Sequence, residues 1–325
     1  GYVEVMDALV EQVMEPQRVQ PRSVNIETFA WGYNGEDKLQ GMSEMLQKMG
    51  ITVNAYLPAA DLQTIKKAPR AALNIVRRKK WALAMEQRFG TPFLHVADMQ
   101  EWHGIEGISD LYRQIGKMLG CENAVERVLQ EEYERVAARY QELGADFAKY
   151  KFCLIAHGIA YLPDALRVYQ QDYGLPITKI CIIMNPSYQA ETGLDDAMMQ
   201  RFKDRIELAK AEYGCDAEIL LEPSEDALRE AAQSCDFVIC NGHPRYAALD
   251  VPVLYNLFDR SVWSYQGFVD IMEEVWQMLQ QPQRTGSNLL LSKLAYDPVF
   301  YPMREADKDS KASRELYSRV WRQRK

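Results

Sequence analysis

Short apolar runs alternate with amphipathic helical stretches along most of this chain, and few architectures accept that alternation. Strands of a parallel sheet are buried on both faces, so they are continuous apolar runs, and the helices that connect them cover the sheet. The runs that fit this description are residues 24–31, 51–58, 71–78, 92–98, 151–157, 177–185, 217–223, 236–242 and 251–258. The pattern therefore predicts an α/β protein with doubly wound parallel sheets.

A longer helical segment interrupts the alternation near the middle of the chain. Within residues 122–150, the apolar side chains of Val125, Val128, Leu129 and Val136 recur at the spacing of one helix face. We therefore predict a long helix that joins two α/β domains. The expected boundaries are 1–150 for the first domain with its connecting helix, 151–280 for the second domain and 281–325 for a C-terminal extension.

Composition and charge exclude several classes of protein. The chain has 325 residues, of which 47% are hydrophobic and 26% charged, so it is able to bury a sizeable core. Its 38 Lys and Arg against 46 Asp and Glu give a net charge of −8, which argues against general binding to a nucleic-acid backbone. Because no apolar run approaches the roughly 18 residues of a membrane span, we expect a cytoplasmic protein without a membrane partner.

The six cysteines and four histidines show none of the spacings of a self-contained metal or redox motif. Neither CxxC nor HExxH occurs. Cys153, Cys181 and Cys240 lie within apolar runs, where a free thiol packs as a small hydrophobe. We therefore predict structural thiols and no metal ligands in this chain.

The residues just after each predicted strand are the candidates for a site, because parallel sheets bind ligands at the carboxyl ends of their strands. None of these loops contains GxGxxG or a Walker A pattern, the usual cradles for phosphates. Arg77 and Arg78 begin a run of four basic residues, which suits either an anionic ligand or a solvated face. Asn241 and His243 suit either hydrogen bonding to a ligand or a plain turn. The predicted cofactor-binding residues, around a cleft shared by the two domains, are Arg77, Arg78, Asn241, His243, Asp259 and Arg260.

Several segments, taken in order, resemble the nitrogenase component 1 family, whose chains are built from three Rossmann-like domains. The opening GYVEVMDALVEQV is similar to the stretch after the first family domain, and VNIETFAW resembles the first strand of the middle domain. The segment KKAPRAALNIVRRKKWALAMEQRFGTPFL follows a family strand, helix and strand. Near the end, DFVICNG, LFDR and SYQGFVDIM resemble elements of the last domain. The resemblance extends to about residue 280 and implies two Rossmann-like domains, the middle and C-terminal ones.

Two departures from the family pattern concern its metal ligands. In family members with an iron-molybdenum type cofactor, the resemblance places a Cys ligand at Arg77 or Arg78, most closely Arg78, and a His ligand at Leu257. Neither Arg nor Leu replaces such a ligand. The resemblance also implies that the cysteines of the family's iron-sulfur cluster belong to an upstream domain, so we expect a fragment that holds no cluster itself.

The resemblance implies a component 1-like oxidoreductase subunit that takes electrons from an ATP-dependent iron protein and reduces an unsaturated or tetrapyrrole-like substrate. The implied partners are that iron-protein reductase and a homologous component 1 chain, in a dimer or higher oligomer. Loss of both cofactor ligands leaves a second hypothesis open, a non-catalytic two-lobed binding or scaffold protein for a metal-containing or anionic small molecule. A two-lobed glycosyltransferase, which shares the architecture, is a third.

Overall fold

The computed structural model describes residues 2–28, 35–96, 102–158, 162–184, 195–240, 246, 249, 251–255 and 263–280. Contacts between residues divide the chain into two compact units. The first comprises Gly1–Asp146 and Leu257–Trp276, and the second comprises Phe147–Asn256 and Gln277–Lys325. The segment 257–276 therefore belongs to the first unit, although it follows most of the second unit in sequence. Within the described residues, no helix is long and apolar enough to cross a membrane.

The first unit contains a parallel sheet with the strand order β2-β1-β3-β4. Its strands are β1 (Gln20–Glu27), β2 (Thr52–Leu57), β3 (Ala71–Val76) and β4 (Phe93–His95). The chain goes from β1 to β2 on one side and then crosses to β3 on the other, so the strand order reverses between β1 and β3. In open α/β sheets this reversal creates a crevice at the carboxyl ends of the strands.

Helices connect these strands and continue into the chain beyond them. They are α1 (Tyr2–Ala8), which continues as a π-helix over Leu9–Val13, α2 (Gly35–Lys48), α3 (Leu62–Lys66), α4 (Lys79–Phe89), α5 (Gly104–Leu119) and α6 (Glu122–Phe147). The predicted long helix is confirmed as α6. Gly90 is the C-cap of α4, because it has φ +73° and its N–H donates to Glu86 O at 2.8 Å.

The second unit contains a parallel sheet with the strand order β7-β6-β5-β8-β9. Its strands are β5 (Phe152–His157), β6 (Ile177–Ile183), β7 (Glu218–Leu221), β8 (Phe237–Cys240) and β9 (Val253–Tyr255). Its helices are α7 (Leu162–Leu166), which continues as a π-helix over Arg167–Asp172, α8 (Asp196–Glu212) and α9 (Glu225–Gln233). Numbered from β5, the order is third, second, first, fourth, fifth, which is the order of the first five strands of a Rossmann fold. The predicted fold, two Rossmann-like parallel-sheet domains joined by a long helix, is confirmed.

The last described helix, α10 (Tyr265–Gln280), packs within the first unit through polar contacts as well as apolar ones. The hydroxyl groups of Ser109 and Tyr265 lie 2.6 Å apart, and the Tyr112 hydroxyl donates to the carbonyl oxygen of Trp263. Near the other end, Arg139 Nε lies 2.9 Å from Glu273 Oε1. These bonds join the helix to α5 and α6.

A buried amide network lies in the middle of the first sheet. Asn25 Nδ2 donates to Asn74 Oδ1 at 2.8 Å and to Ala68 O at 2.9 Å, and Asn54 Nδ2 donates to Asn25 Oδ1 at 2.8 Å. Asn25 and Asn74 are fully buried and face each other in the register of β1 and β3. Because buried amides are costly unless they are bonded, the network favours this register over a shifted one.

Candidate functional site

The crevice between β1 and β3 is filled by a carboxylate of the chain itself. Glu27, the last residue of β1, is fully buried, and its Oε2 accepts the backbone N–H groups of Arg77 at 2.8 Å and Arg78 at 3.2 Å. The indole Nε1 of Trp81 donates to the same oxygen at 3.3 Å. The carboxylate thus lies at the N-terminus of α4, where sheets of this kind bind the anionic groups of ligands.

The other oxygen of the Glu27 carboxylate has a different environment. Within the described part of the chain, Glu27 Oε1 is buried and has no hydrogen-bond partner. A buried acceptor without a donor is uncommon and costs free energy. Within the described residues, the cost of burying this oxygen is therefore not compensated by a hydrogen bond.

The basic run after β3 divides into two kinds of side chain. Arg77 and Arg78 are half-buried, whereas Lys79 and Lys80 are exposed on the first turn of α4. Lys80 Nζ lies 2.6 Å from Asp7 Oδ2, and its hydrogen bond with that carboxylate raises the pKa of Lys80. The two arginines are thus held against the sheet edge, while the lysines form a solvated face.

A histidine of β4 supports the backbone at the same edge. His95 Nε2 lies 3.0 Å from the carbonyl oxygen of Arg77, and the N–H of Arg78 in the same peptide donates to Glu27 Oε2 at 3.2 Å. Fixing this peptide on both sides fixes the direction in which the arginine side chains leave the backbone. Sequence patterns gave no sign of Glu27 or His95 in this role, because neither residue belongs to a recognisable motif.

The remaining predicted site residues, Asn241, His243, Asp259 and Arg260, lie outside the described residues. Leu257, which the resemblance places at a His ligand position, also lies outside them. The structure thus places Arg77 and Arg78 together, beside Glu27.

A cavity of about 680 Å³ lies next to the carboxyl ends of β1 and β2 in the first unit. Its volume is within the range of pockets for small organic molecules. The described lining is mostly apolar, with hydroxyl groups from Thr28, Ser43 and Tyr56 and a carboxylate from Glu44. No single segment supplies the lining, so sequence patterns did not predict it.

Five of the six cysteines belong to the second unit. All six are free and buried, and Cys121 is the one that belongs to the first unit. Among the described residues, no three side chains of His, Cys, Asp or Glu are grouped so that they are able to hold a metal ion.

Comparison with known proteins extends these observations. A family model for nitrogenase component 1 type oxidoreductases matches residues 1–280. The chain is 31% identical over 99 residues to the B subunit of light-independent protochlorophyllide reductase from Zygnema circumcarinatum, covering 29% of this chain and 18% of that protein. The corresponding protein of Angiopteris evecta is 25% identical over 134 residues, covering 40% of this chain and 26% of that protein.

A solved structure agrees with the fold. Nitrogenase Cp1 at pH 6.5 superposes with a TM-score of 0.56 at 14% identity, covering 87% of this chain and 63% of that chain. The chain therefore spans less than two thirds of the length of these relatives. The family match covers most of the chain and confirms the resemblance found in the sequence, so the chain belongs to the nitrogenase component 1 type oxidoreductase family.

Proposed function

We propose that this chain is part of a nitrogenase component 1-like reductase, which takes electrons from an ATP-dependent iron protein and reduces an unsaturated or tetrapyrrole-like substrate. The observation that carries the proposal is the family match over residues 1–280. The names of the relatives, subunits of light-independent protochlorophyllide reductase, favour a tetrapyrrole among the substrate classes. The proposed partners are the iron protein and a homologous component 1 chain, assembled in the cytoplasm as a dimer or higher oligomer.

The metal chemistry of the proposed reductase is assigned to an iron-sulfur cluster, held by cysteines of the upstream domain that the family resemblance implies. An iron-molybdenum type cofactor bound through the β3 edge does not fit the residues present. Arg78 stands where the resemblance gives a Cys ligand, and a guanidinium has donors and no acceptor with which to bind iron. The neighbouring Glu27 already accepts three N–H groups through one oxygen.

In this proposal the two arginines bind an anionic group of the substrate or cofactor. The backbone N–H groups of Arg77 and Arg78 are bonded to Glu27, and the half-buried guanidinium groups supply positive charge at this edge. Guanidinium groups bind carboxylates through two parallel hydrogen bonds, and tetrapyrroles of this class carry carboxylates. Asn241, His243, Asp259 and Arg260 complete the proposed binding set.

A second candidate function is a non-catalytic protein that binds a metal-containing or anionic small molecule. The resemblance favours it, since it gives a Cys ligand at Arg77 or Arg78, most closely Arg78, and an arginine there binds anions and not metals. Both candidates predict ligand binding at the β3 edge. They differ in whether the bound molecule is reduced.

The decisive experiment uses the polypeptide encoded by the complete open reading frame, purified under anaerobic conditions with iron and acid-labile sulfide quantified. We would then add an iron protein, ATP and protochlorophyllide, and follow the change of the pigment absorbance. Stoichiometric iron and sulfide with ATP-dependent reduction of a tetrapyrrole are expected. Cluster-free protein that binds protochlorophyllide without reducing it would contradict the reductase and support the binding protein.

A further inference from the structure

The cavity at the carboxyl ends of β1 and β2 takes no part in the proposed function. Its described lining comes from Thr28 after β1, from one face of α2, and from Tyr56 with the residues that follow β2. The N–H of Thr28 donates to the carbonyl oxygen of Leu57 at 2.8 Å, and its hydroxyl donates to the same oxygen at 3.3 Å. The strand ends beside the cavity are thus held together by the chain itself.

The half-buried part of the lining is mostly apolar. Leu39 on α2, Ala60 after β2 and Tyr56 are half-buried there. Because neighbouring residues of a strand point to opposite faces, Tyr56 leaves the sheet on the other face from the buried Ala55 and Leu57. The volume of about 680 Å³ is in the range of sites for organic molecules. Such a lining favours an apolar ring system over a hydrated ion.

The exposed part of the described lining carries one charged side chain, Glu44. Gln40 Nε2 donates to Glu44 Oε1 at 2.9 Å, so an amide one turn earlier on α2 orients the carboxylate. The next cation along α2, Lys48, pairs with Glu132 at 2.9 Å. Among the side chains that the structure describes, none forms an ion pair with Glu44. Its negative charge is therefore available to a ligand.

The charge of this cavity is opposite to that of the β3 edge. Arg77 and Arg78 supply positive charge after β3, whereas the described lining of the cavity contains Glu44 and no lysine or arginine. Hydrogen bonds between an ammonium group and a carboxylate are strengthened by their charges. A molecule with an apolar ring system and an ammonium group therefore matches both parts of the lining, and an acid with the same rings does not.

We propose that this cavity is a second ligand site, which binds an organic amine. The apolar rings of the amine lie against Leu39, Tyr56 and Ala60, and its ammonium group binds the carboxylate of Glu44. In the strand order β2-β1-β3-β4, the cavity is on the β2 side of β1 and the arginine edge is on the β3 side. The amine site is thus independent of the proposed function, and a failure of one leaves the other standing.

Two matched probes test the charge preference. Naphthylethylamine and naphthylpropionic acid share their rings and carry opposite charges at neutral pH, and naphthalene fluorescence during titration with the unmodified protein measures both dissociation constants. The amine is expected to bind at least about fivefold more tightly than the acid at low salt, and added salt is expected to reduce this ratio. An amine that does not bind, or equal affinities of the two probes, would overturn the proposal.

A charge variant tests the role of Glu44. Glu44→Gln keeps the shape of the side chain and removes its charge, so the two dissociation constants are expected to come within about twofold of each other. Glu86→Gln, the matched control, removes the same charge from the exposed surface of α4 and is expected to keep the ratio of the unmodified protein. A ratio that persists in Glu44→Gln would show that another group binds the ammonium, and the assignment would be wrong.

Two further variants test whether the amine binds in the cavity. Ala60→Leu narrows it from the segment after β2, and Ser43→Leu narrows it from α2. Each is expected to weaken amine binding at least about fivefold without changing the circular dichroism spectrum. Unchanged affinity in either folded variant would contradict this site. If the unmodified protein is a dimer by light scattering and these variants are monomers, a second copy of the chain fills the cavity and the proposal is wrong.

Discussion

The sheets of the two units are both parallel, and they differ in strand order and in what their central strands bury. In the first sheet, β1 carries Asn25, whose amide is bonded to Asn54, Asn74 and Ala68. In the second sheet, β5 carries Cys153, whose thiol has sulfur atoms as its side-chain partners. Amide bonds are strong and directional, whereas thiols form weak hydrogen bonds and pack as small hydrophobes. The central strand of the first sheet is thus held by polar hydrogen bonds, whereas the central strand of the second sheet packs a thiol at the corresponding place.

The largest expected effect is at the amide network. Asn25→Ala removes two donors and one acceptor from a fully buried position and leaves the amide of Asn54 and the carbonyl of Asn74 without this partner. We expect a loss of about 2–4 kcal/mol in the free energy of unfolding, measured with urea. Cys153→Ala, the counterpart in β5, is expected to lose only about 1 kcal/mol. Equal losses would remove the distinction between the two sheets.

The next effect concerns the carboxylate at the carboxyl end of β1. Glu27→Ala removes the acceptor of three N–H groups and is expected to cost about 2–3 kcal/mol in urea unfolding. Glu27→Gln keeps an oxygen in place, so its loss of free energy of unfolding is expected to be less than half that of the alanine variant. Amide hydrogen exchange at Arg77 and Arg78 is expected to accelerate in the alanine variant. If exchange there is unchanged, the carboxylate is not what holds the start of α4.

A pH dependence is expected from the second sheet. The pKa of Cys235 falls from 9.0 to about 6 in the folded protein, so between these values the unfolded chain binds a proton that the folded chain lacks. The free energy of unfolding therefore rises with pH over this window, by at most about 1.4 kcal/mol per pH unit, and the gain is lost as the pH falls through 6.

The groups that face Cys235 are Cys153, Thr178, Lys179 and Ser234. Urea unfolding in reductant between pH 6 and 9 measures the slope, and Cys235→Ser is expected to flatten it. A variant slope as steep as that of the unmodified protein would show that other groups cause it.

The smallest effect on stability is expected at the arginine edge. Arg78→Ala is expected to change the free energy of unfolding by about 0.5 kcal/mol or less, as is usual for a side chain outside the core, while protochlorophyllide binds at least about tenfold more weakly. Lys79→Ala, which removes the same charge from the exposed neighbouring residue, is expected to leave that affinity unchanged. Fluorescence titration measures both. A marked loss of stability in the arginine variant would instead make Arg78 a structural residue.

Much of the fold follows from the sequence because each buried strand is a continuous apolar run. The predicted run at 151–157 became Phe152–His157, and 71–78 became Ala71–Val76. The first strand was shifted, from 24–31 to Gln20–Glu27, because its exposed amino end is polar and gives no apolar signal. Ser224 is the N-cap of α9, since its Oγ accepts the N–H of Ala227 at 3.2 Å, and serine is a residue type that a sequence pattern reads as a helix start.

The site was less predictable, because its parts come from distant segments. Arg77 and Arg78 were found from their position after a strand, which a local pattern gives. Glu27 was missed because its role depends on N–H groups fifty residues later in the chain. The same reason hides the contact between Cys153 and Cys181, which lie on neighbouring strands. An apolar pattern within one segment predicts which residues are buried. Which polar groups contact each other depends on how distant segments pair, and a local pattern does not give that.

The position of α10 has a consequence for synthesis on the ribosome. Chains usually fold from the N-terminus as they emerge, but the first unit of this protein includes residues 257–276, and the second unit has a continuous stretch over residues 147–256. Ser109 and Tyr112 therefore have their partners Tyr265 and Trp263 only after a further 156 and 151 residues have been translated. The later unit is able to complete its sheet during translation, while the earlier one exposes the α5 surface that α10 will cover.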